Sequence, residues 1–290
     1  MLVMEAVSDG PKYEVVIEPT QGWLRLDWKA LWEYRDLFTM LVQRDCTTRY
    51  KQTLLGPLWF VLQPVLTTLV FVIVFGRFAG IPTDGIPGPL FYLCGLLGWN
   101  YFTQNLTNAG ATFVNNAHLF GKVYFPRLIV PASVVAANVV AFALQLIPFI
   151  AFFAYFYFTG KLGEASLTWR ALLFPLPLLH TALLSLGVGL WMSAATAKYR
   201  DLIHLTQYLI QIWMFATPII YPISKVPARW EWLVWANPMS APTEAFRICL
   251  LGHGSLPPMA LGISVVVTLL LLATGIVAFG KVERTVIDSV

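Results

Sequence analysis

Long apolar stretches separated by short polar segments dominate the sequence. A helix that crosses the hydrocarbon layer of a membrane needs about 20 apolar residues, and six stretches of this chain are close to that length. They are residues 58–75, 90–111, 132–158, 171–195, 203–221 and 258–280. Prolines within them would break helices in water, but a bundle supplies partners for the carbonyl groups that a proline frees. The pattern predicts an all-α membrane protein with six transmembrane helices in residues 52–281.

The composition leads to the same conclusion. Apolar side chains make up 58% of the 290 residues and charged ones only 12%, whereas soluble domains are about 25% charged. The 19 basic and 15 acidic side chains cannot cover the surface of such a chain, so most of that surface must face lipid. A net charge of +4 is too small to indicate a nucleic-acid-binding protein. Cys46, Cys94 and Cys249 fit neither a metal site nor a disulfide framework.

The positions of lysine and arginine favour cytoplasmic locations for both ends of the chain. An even number of spans puts the two ends on the same side of the membrane. If the N-terminus is inside, nine lysines and arginines lie near inner span ends and six near outer ones, as the positive-inside rule requires. We therefore expect residues 1–26 and 282–290 to be cytoplasmic segments of a multi-pass protein in the cell (inner) membrane.

A helix of a different kind precedes the first span. From Trp28 to Val42, apolar residues alternate with polar ones at helical spacing, and Asp27 suits an N-cap position. A tryptophan-rich amphipathic helix beside a span is typical of one that lies in the membrane interface. Docking on another protein would give the same pattern. We expect residues 27–51 to form this interfacial helix and a connector.

The six apolar stretches contain no Asp, Glu, Lys or Arg. Carriers driven by ion gradients place charged groups at membrane depth, and membrane enzymes need acid–base pairs, metals or nucleophiles. We therefore expect no catalytic residue, metal or cofactor in this chain, and an energy source elsewhere. The segment Gly275–Val282 approaches a phosphate-binding loop, but Val282 replaces the hydroxyl residue that contacts magnesium. A separate polypeptide would then hydrolyse ATP.

Amides, hydroxyls and aromatic rings supply the polar character of the spans. Asn100, Gln104 and Asn108 recur at every fourth residue of the second span and share one helix face. The candidate channel-lining residues are Trp59, Gln63, Thr67, Phe71, Asn100, Gln104, Gln207, Tyr208, Gln211, Phe215 and Tyr221. Such faces suit a neutral, hydroxyl-rich solute such as a sugar chain, because aromatic rings can stack on its apolar C–H surfaces. Amides within spans also join helices to one another.

Several segments resemble those of a known transporter family. They are Tyr34–Leu37, Arg44–Asp45, Arg49–Gln52, Leu55–Gly56, Trp59, Asn116, Lys122–Arg127, Pro131, Tyr199–Asp201, Thr217–Pro222 and Asn237–Met239. Their order and spacing between Trp28 and Lys281 are similar to those of permeases of type-two ABC exporters. The branch that they resemble most handles O-antigen, capsular polysaccharide and teichoic acid.

The resemblance implies a permease that is not itself an enzyme. Two copies would pair as a homodimer around a channel lined largely by the first and fifth spans. Each copy would rest on a separate ABC nucleotide-binding subunit, which would hold the ATP and magnesium. The substrate would be a lipid-linked polysaccharide, moved from the cytoplasmic to the outer face of the membrane.

The resemblance also implies roles for loop residues. Contacts with the ATPase subunit would involve Asn116, His118, Lys122, Val123, Tyr124, Phe125, Pro126, Arg127, Arg200 and Asp201. The interfacial helix would contribute Trp28, Trp32, Arg35 and Phe38. Short re-entrant helices in residues 222–257 would gate the exit, with Pro222, Asn237 and Pro238 at the gate. The aromatic density between Lys122 and Arg127 suits a knob that fits a partner's cleft, although a positive-inside loop would also be basic.

Three alternatives stay open at this point. An exporter of drugs or simple lipids would belong to the same superfamily. A membrane-embedded glycosyl- or acyltransferase would need Glu231, Glu244 and His253 to form a site in the outer segment. A passive channel would conduct without a partner subunit.

Overall fold

The architecture is all-helical in the computed structural model, which describes residues 32–50, 56, 58–116, 120 and 125–287. No strand occurs within those ranges, which confirms the predicted all-α class for them. The main helices are α1 (Arg35–Tyr50), α2 (Leu58–Phe71), α3 (Gly88–Gly110), α4 (Ile129–Phe158), α5 (Pro175–Lys198), α6 (Leu202–Ala216), α7 (Ala228–Ala236), α8 (Ser240–Leu251) and α9 (Pro258–Ile287). A π-helical stretch, Val72–Phe78, continues α2, and short helical turns occur at Thr112–Asn115, Trp169–Leu173 and Ile223–Lys225.

Among the described residues, four helical segments are long and apolar enough to cross a membrane. They are Leu58–Phe78, Ile129–Phe158, Trp169–Lys198 and Pro258–Glu283, with mean hydropathies of 2.3, 2.2, 1.8 and 2.5. They coincide with the first, third, fourth and sixth predicted spans. The chain is therefore a membrane protein by the length and composition of these helices.

The helices in the second and fifth predicted spans are not among these four segments. Helix α3 has 23 residues, enough to cross about 30 Å at roughly 1.5 Å per residue, but its amides lower its hydropathy. Helix α6 has only 15 residues and ends at Ala216, before the predicted end at residue 221. Thr217 is extended, with φ −98° and ψ 139°, because a residue before proline avoids the helical region and Pro218 follows it.

Helix α3 is the centre of the bundle. It packs against α2, α4, α5 and α8, and its residues from Leu90 to Trp99 are all buried. The ring of Phe102 meets Trp213 of α6 edge to face, with ring centroids 5.0 Å apart. The largest fully buried aromatic side chains are Phe91, Tyr92, Phe102, Phe142, Phe246 and Phe279. Most of the core is therefore built around one helix, whose faces contact protein more than lipid.

Side-chain hydrogen bonds join α3 to two neighbours inside the core. Asn138 of α4 donates from Nδ2 to Oδ1 of Asn105, at 2.6 Å. Asn105 donates in turn from Nδ2 to Oγ of Ser185 on α5, at 3.1 Å. All three side chains are fully buried. In protein mutants, burying a polar group without a hydrogen bond costs about 1–3 kcal/mol. The three groups therefore fix the relative positions of α3, α4 and α5.

Helices α5 and α9 approach closely at glycine residues. A Cβ atom added to Gly187 would lie 2.8 Å from the backbone nitrogen of Leu272. Small residues allow this close approach. Such packing drives helix association in a membrane, because apolar side chains gain nothing by leaving lipid. His180 lies at the same interface as a hydrogen-bonded packing residue, with Nε2 3.0 Å from Oγ1 of Thr268 and 3.2 Å from Oγ of Ser264.

Helix α1 lies along α4. Leu41 is buried, and Sγ of Cys46 donates to the carbonyl oxygen of Ala137 at 3.9 Å. The helix continues to Tyr50, well beyond Val42, where the amphipathic pattern ends. Of the predicted interfacial residues, Trp32 and Arg35 are exposed and Phe38 is partly buried. Trp28 and the N-terminal segment 1–26 lie outside the described residues.

Replacing Gly187 by alanine should lower the melting temperature, because the new Cβ would force α5 and α9 apart. Overpacking of this kind costs about 1–3 kcal/mol. Gly262→Ala in α9 is the matched control, since an added Cβ there meets no atom within 4 Å. Thermal unfolding of both purified variants in one detergent compares them, and equal melting temperatures would contradict the close contact.

Candidate functional site

A cleft of about 360 Å³ opens between α2, α3 and α4. Its lining residues are Phe60, Gln63, Pro64, Asn100, Thr103, Gln104, Asn108 and Gln145. None of these side chains carries a charge. The polar groups of the cleft are therefore amides and one hydroxyl, and an aromatic ring and a proline supply apolar surface.

The cleft brings together residues that the sequence predicted as a set. Gln63 extends from α2, while Asn100, Gln104 and Asn108 extend from one face of α3. The four-residue spacing puts those three amides on one face. The structure turns that face toward α2 and α4. The predicted grouping of amides is thus present within a single chain.

Gln145 is the cleft residue that sequence reasoning missed. It belongs to α4, whose long apolar sequence shows no regular polar face. A signal was nevertheless present, because Asn138 and Gln145 are seven residues apart and so share a helix face. Both side chains reach α3 in the structure.

One hydrogen bond joins two of the cleft amides, and the other amides are available to a ligand. Nδ2 of Asn100 donates to Oε1 of Gln145 at 3.1 Å. The side-chain amides of Gln63, Gln104 and Asn108 have no hydrogen-bond partner among the described residues. An amide offers two donor hydrogens and an acceptor oxygen. The cleft can therefore donate to hydroxyl groups and accept from them.

The candidate channel-lining residues of α6 lie on another surface. Gln207, Tyr208, Gln211 and Phe215 are exposed, with Tyr208 65% accessible, and none of them lines the cleft. Within the described part of the chain, no element covers this face of α6. The structure therefore divides the predicted set into an internal cleft and an open helix face.

Three candidates on α2 lie outside the cleft. Trp59 is exposed, and Oγ1 of Thr67 donates to the carbonyl oxygen of Gln63 at 3.0 Å. Phe71 is buried and packs edge to face on Tyr92, with ring centroids 5.8 Å apart. Within the single chain Phe71 is therefore a core residue.

Asn237, one of the predicted gate residues, connects α6 to the α7–α8 pair. Its Oδ1 accepts a hydrogen bond from Nε1 of Trp213 at 2.8 Å, and its Nδ2 donates to the carbonyl oxygen of Ala216 at 3.1 Å. The carbonyl oxygen of Pro238 accepts from Oγ of Ser264 on α9, at 2.6 Å. The junction between α7 and α8 is thus held from two sides.

Residues 222–257, the predicted outer segment, contain the short helices α7 and α8. Pro222 is buried and Tyr221 is partly buried where the chain leaves α6. The hydroxyl of Tyr221 donates to the carbonyl oxygen of Ala216 at 3.5 Å. These contacts close the turn that follows α6.

A buried ion pair within α8 was not predicted. Nη1 of Arg247 donates to Oε2 of Glu244 at 3.0 Å, and both side chains are almost fully buried. The Nη2 group donates to the carbonyl oxygens of Pro218 and Ile219, the latter at 3.1 Å. The guanidinium carbon lies 4.0 Å from the ring centroid of Phe91. The Arg247 side chain therefore connects α8 to α3 and to the turn that follows α6.

The same pair argues against a transferase site in the outer segment. The Glu244 carboxylate is bound on both oxygens, because Oε1 accepts from the backbone nitrogen of Ser255 at 3.2 Å. Glu231 accepts from Nε1 of Trp235 at 3.2 Å. With both oxygens engaged, Glu244 is poorly placed to act as a general base.

Residues 36–251 match the sequence profile of a family described as ABC-2 type transporter. The matched segment runs from α1 to the end of α8, and so contains both the cleft and the ion pair. The chain belongs to the ABC-2 type transporter family. This confirms the resemblance to type-two ABC permeases on which the residue assignments depend.

Relatives of this ABC-2 permease cover most of its length. The O-antigen export system permease protein RfbA of Myxococcus xanthus is 32% identical over 229 residues, which are 78% of this chain and 84% of that protein. A protein of the same name from Klebsiella pneumoniae is 27% identical over 248 residues, 86% of this chain and 92% of its own. The polysialic acid transport protein KpsM of Escherichia coli is 24% identical over 259 residues, 86% of this chain and 94% of that protein.

Phe125, one of the predicted ATPase contacts of this permease, lies in an aromatic cluster. Phe125 is only 4% exposed and packs on Phe120, with ring centroids 6.0 Å apart. Phe113 stacks on Phe279 of α9 in the same cluster, at 4.5 Å. The chain's own aromatic side chains thus cover Phe125, and its predicted contact with an ATPase subunit stays a prediction.

Arg127 is also held within the chain. Its guanidinium lies 5.0 Å from the ring centroid of Phe120, and Nη1 donates to the backbone carbonyl oxygen of Glu283 at 3.3 Å. Its Nε is 3.9 Å from the Glu283 carboxylate. Arg127 therefore anchors the loop near the C-terminal end of α9.

The remaining predicted ATPase contacts differ in accessibility. Arg200 and Asp201 are exposed in the turn between α5 and α6. Asn116 and Pro126 are partly buried. The predicted contacts that lie outside the described residues are His118, Lys122, Val123 and Tyr124.

Arg247→Met should destabilise this permease by about 3–5 kcal/mol, because it leaves the buried Glu244 carboxylate without its cation. Adding Glu244→Gln should recover part of that loss, since no buried charge then stays unpaired. Thermal unfolding of the wild type, both single variants and the double variant measures the coupling. Strictly additive effects would show that the two side chains do not act as a pair.

Proposed function

We propose that this chain is the membrane subunit of an ATP-driven exporter that moves a lipid-linked polysaccharide, of O-antigen type, from the cytoplasmic to the outer face of the cell (inner) membrane. The observation that carries the proposal is the cleft between α2, α3 and α4. Its uncommitted amides suit hydroxyl groups, and its lining carries no charge. The relatives named for O-antigen export and polysialic acid transport support a polysaccharide as substrate.

A separate motor supplies the energy in this proposal. The six apolar stretches hold no side chain that carries a fixed charge, so an ion gradient has no binding group to act on. Membership of an ABC family supports an ABC nucleotide-binding subunit as the partner, with ATP and magnesium bound there. Two copies of each subunit would form the complete exporter.

The proposed channel forms where two copies of this chain meet. The open face of α6 carries the amides of Gln207 and Gln211 beside Tyr208, Ile212 and Phe215, and those amides would find no hydrogen-bond partner in lipid. Trp59 of α2 is also exposed. Pairing of two chains would cover these apolar groups and leave Gln207 and other polar groups facing the channel. All six apolar stretches would cross the membrane, with both ends of the chain in the cytoplasm.

Reconstitution tests the proposed function directly. The chain is purified with its ABC subunit, placed in vesicles and supplied with a lipid-linked glycan on the ATP-accessible side. We expect the glycan to become accessible to a lectin on the opposite side only when ATP is hydrolysed. The chain alone, and the complex with a non-hydrolysable ATP analogue, are the controls. Uphill movement by the chain alone would refute the need for a motor, and transport of drugs without glycans would favour the alternative exporter.

Tyr124→Ala should uncouple ATP hydrolysis from export without reducing membrane insertion, because an aromatic anchor in the loop would be lost. Export per ATP hydrolysed in reconstituted vesicles is the measurement. Phe125→Ala is the contrasting variant, since truncating a buried phenylalanine costs about 3–5 kcal/mol of stability. Normal export per ATP by the Tyr124 variant would argue against this assignment of the loop.

A further inference from the structure

We infer that the cleft between α2, α3 and α4 is a binding subsite for a neutral sugar unit, distinct from the open face of α6, and that it disfavours acidic sugars. The inference deepens the proposed function and rests on it, because only a glycan substrate brings a sugar to this site. Four observations support it: the uncharged lining, the orientation of the amides, the size of the cleft and its separation from α6.

The uncharged lining determines which sugars are disfavoured. All eight lining side chains are neutral, and no lysine or arginine is among them. A carboxylate that enters such a cleft gives up its hydration shell and meets no compensating cation, which is far more costly than burying a hydroxyl group that finds hydrogen bonds. A uronic or sialic acid unit should therefore bind more weakly than a neutral hexose of the same size.

The hydrogen bond between Asn100 and Gln145 prepares the amides for hydroxyl groups. Gln145 is only 2% exposed, and its Oε1 is occupied by Nδ2 of Asn100. The NH₂ group of Gln145 and the Oδ1 atom of Asn100 have no partner among the described residues. The pair thus offers a donor and an acceptor whose positions are fixed before a ligand binds, which reduces the entropy lost on binding.

The size of the cleft fits part of a glycan and not a whole chain. Its volume of about 360 Å³ is near the lower end of the range for small-molecule sites, about 300–1,000 Å³. Phe60 and Pro64 supply apolar surface for the C–H faces of a sugar ring. The cleft is therefore a subsite along the path of the polymer.

The cleft is also separate from the exposed residues of α6. No residue of α6 lines it, and Gln207 and Gln211 are exposed elsewhere. An identical substitution can therefore be made in each place. Gln104→Leu removes an amide of the cleft, and Gln211→Leu removes one from α6.

The test measures ATP-driven transfer of two lipid-linked glycans by the reconstituted exporter. One glycan contains only neutral hexoses, and the other has a glucuronate in each repeat. We expect the wild type to prefer the neutral glycan. Gln104→Leu should raise KM for the neutral glycan by about tenfold, the effect of losing roughly 1.4 kcal/mol of binding, while Gln211→Leu should leave the preference between the two glycans unchanged.

A charge introduced into the cleft gives the decisive comparison. Gln104→Lys should shift the preference toward the glucuronate glycan, because the ammonium group supplies the missing cation, and Asn108→Lys repeats the test at a second position. Thermal unfolding shows whether each variant is folded. Equal transfer of both glycans by the wild type, unaltered by either lysine, would overturn the subsite while leaving the proposed export function intact. Failure of either glycan to move with ATP would instead refute the proposed function.

Discussion

Lipid offers no hydrogen bonds, so every polar group that this bundle buries must find its partner within the protein. That constraint explains the central position of α3. Asn105 of α3 is tied to Asn138 and Ser185 on the two neighbouring helices. Near the opposite end of the helix, Phe91 contacts the guanidinium of Arg247. The helix with the most polar side chains among the apolar stretches is therefore the one that the others surround.

The amides of the cleft differ in their pairing from the polar groups of the core. Most buried polar side chains in the described part of the chain are paired, as those of Asn105 and Asn138 are. Three amides of the cleft are unpaired in the same part. These three side chains are exposed or partly exposed in the structure, so they are free to pair with a ligand or with water that enters the cleft.

An aromatic cluster at one end of the bundle connects the loop of the predicted ATPase contacts to the rest of the fold. The cluster around Phe113, Phe120 and Phe125 packs on Phe279 of α9. Arg127 adds contacts to Glu283 on the same helix. Because these side chains are buried, a movement of the loop would require α9 to move or the cluster to repack. The loop thus packs directly against the helical bundle.

The sequence by itself determined the membrane class, the position of four long apolar helices, the amide face of α3 and the transporter family. These features depend on composition, helical period and local motifs, which are properties of contiguous residues. Only the tertiary structure decided that Gln145 joins the cleft, that Phe71 and Phe125 are core residues, and that Glu244 and Arg247 form a buried pair. A helical period shows which residues share a face, but the element that covers this face is chosen by packing between segments distant in sequence.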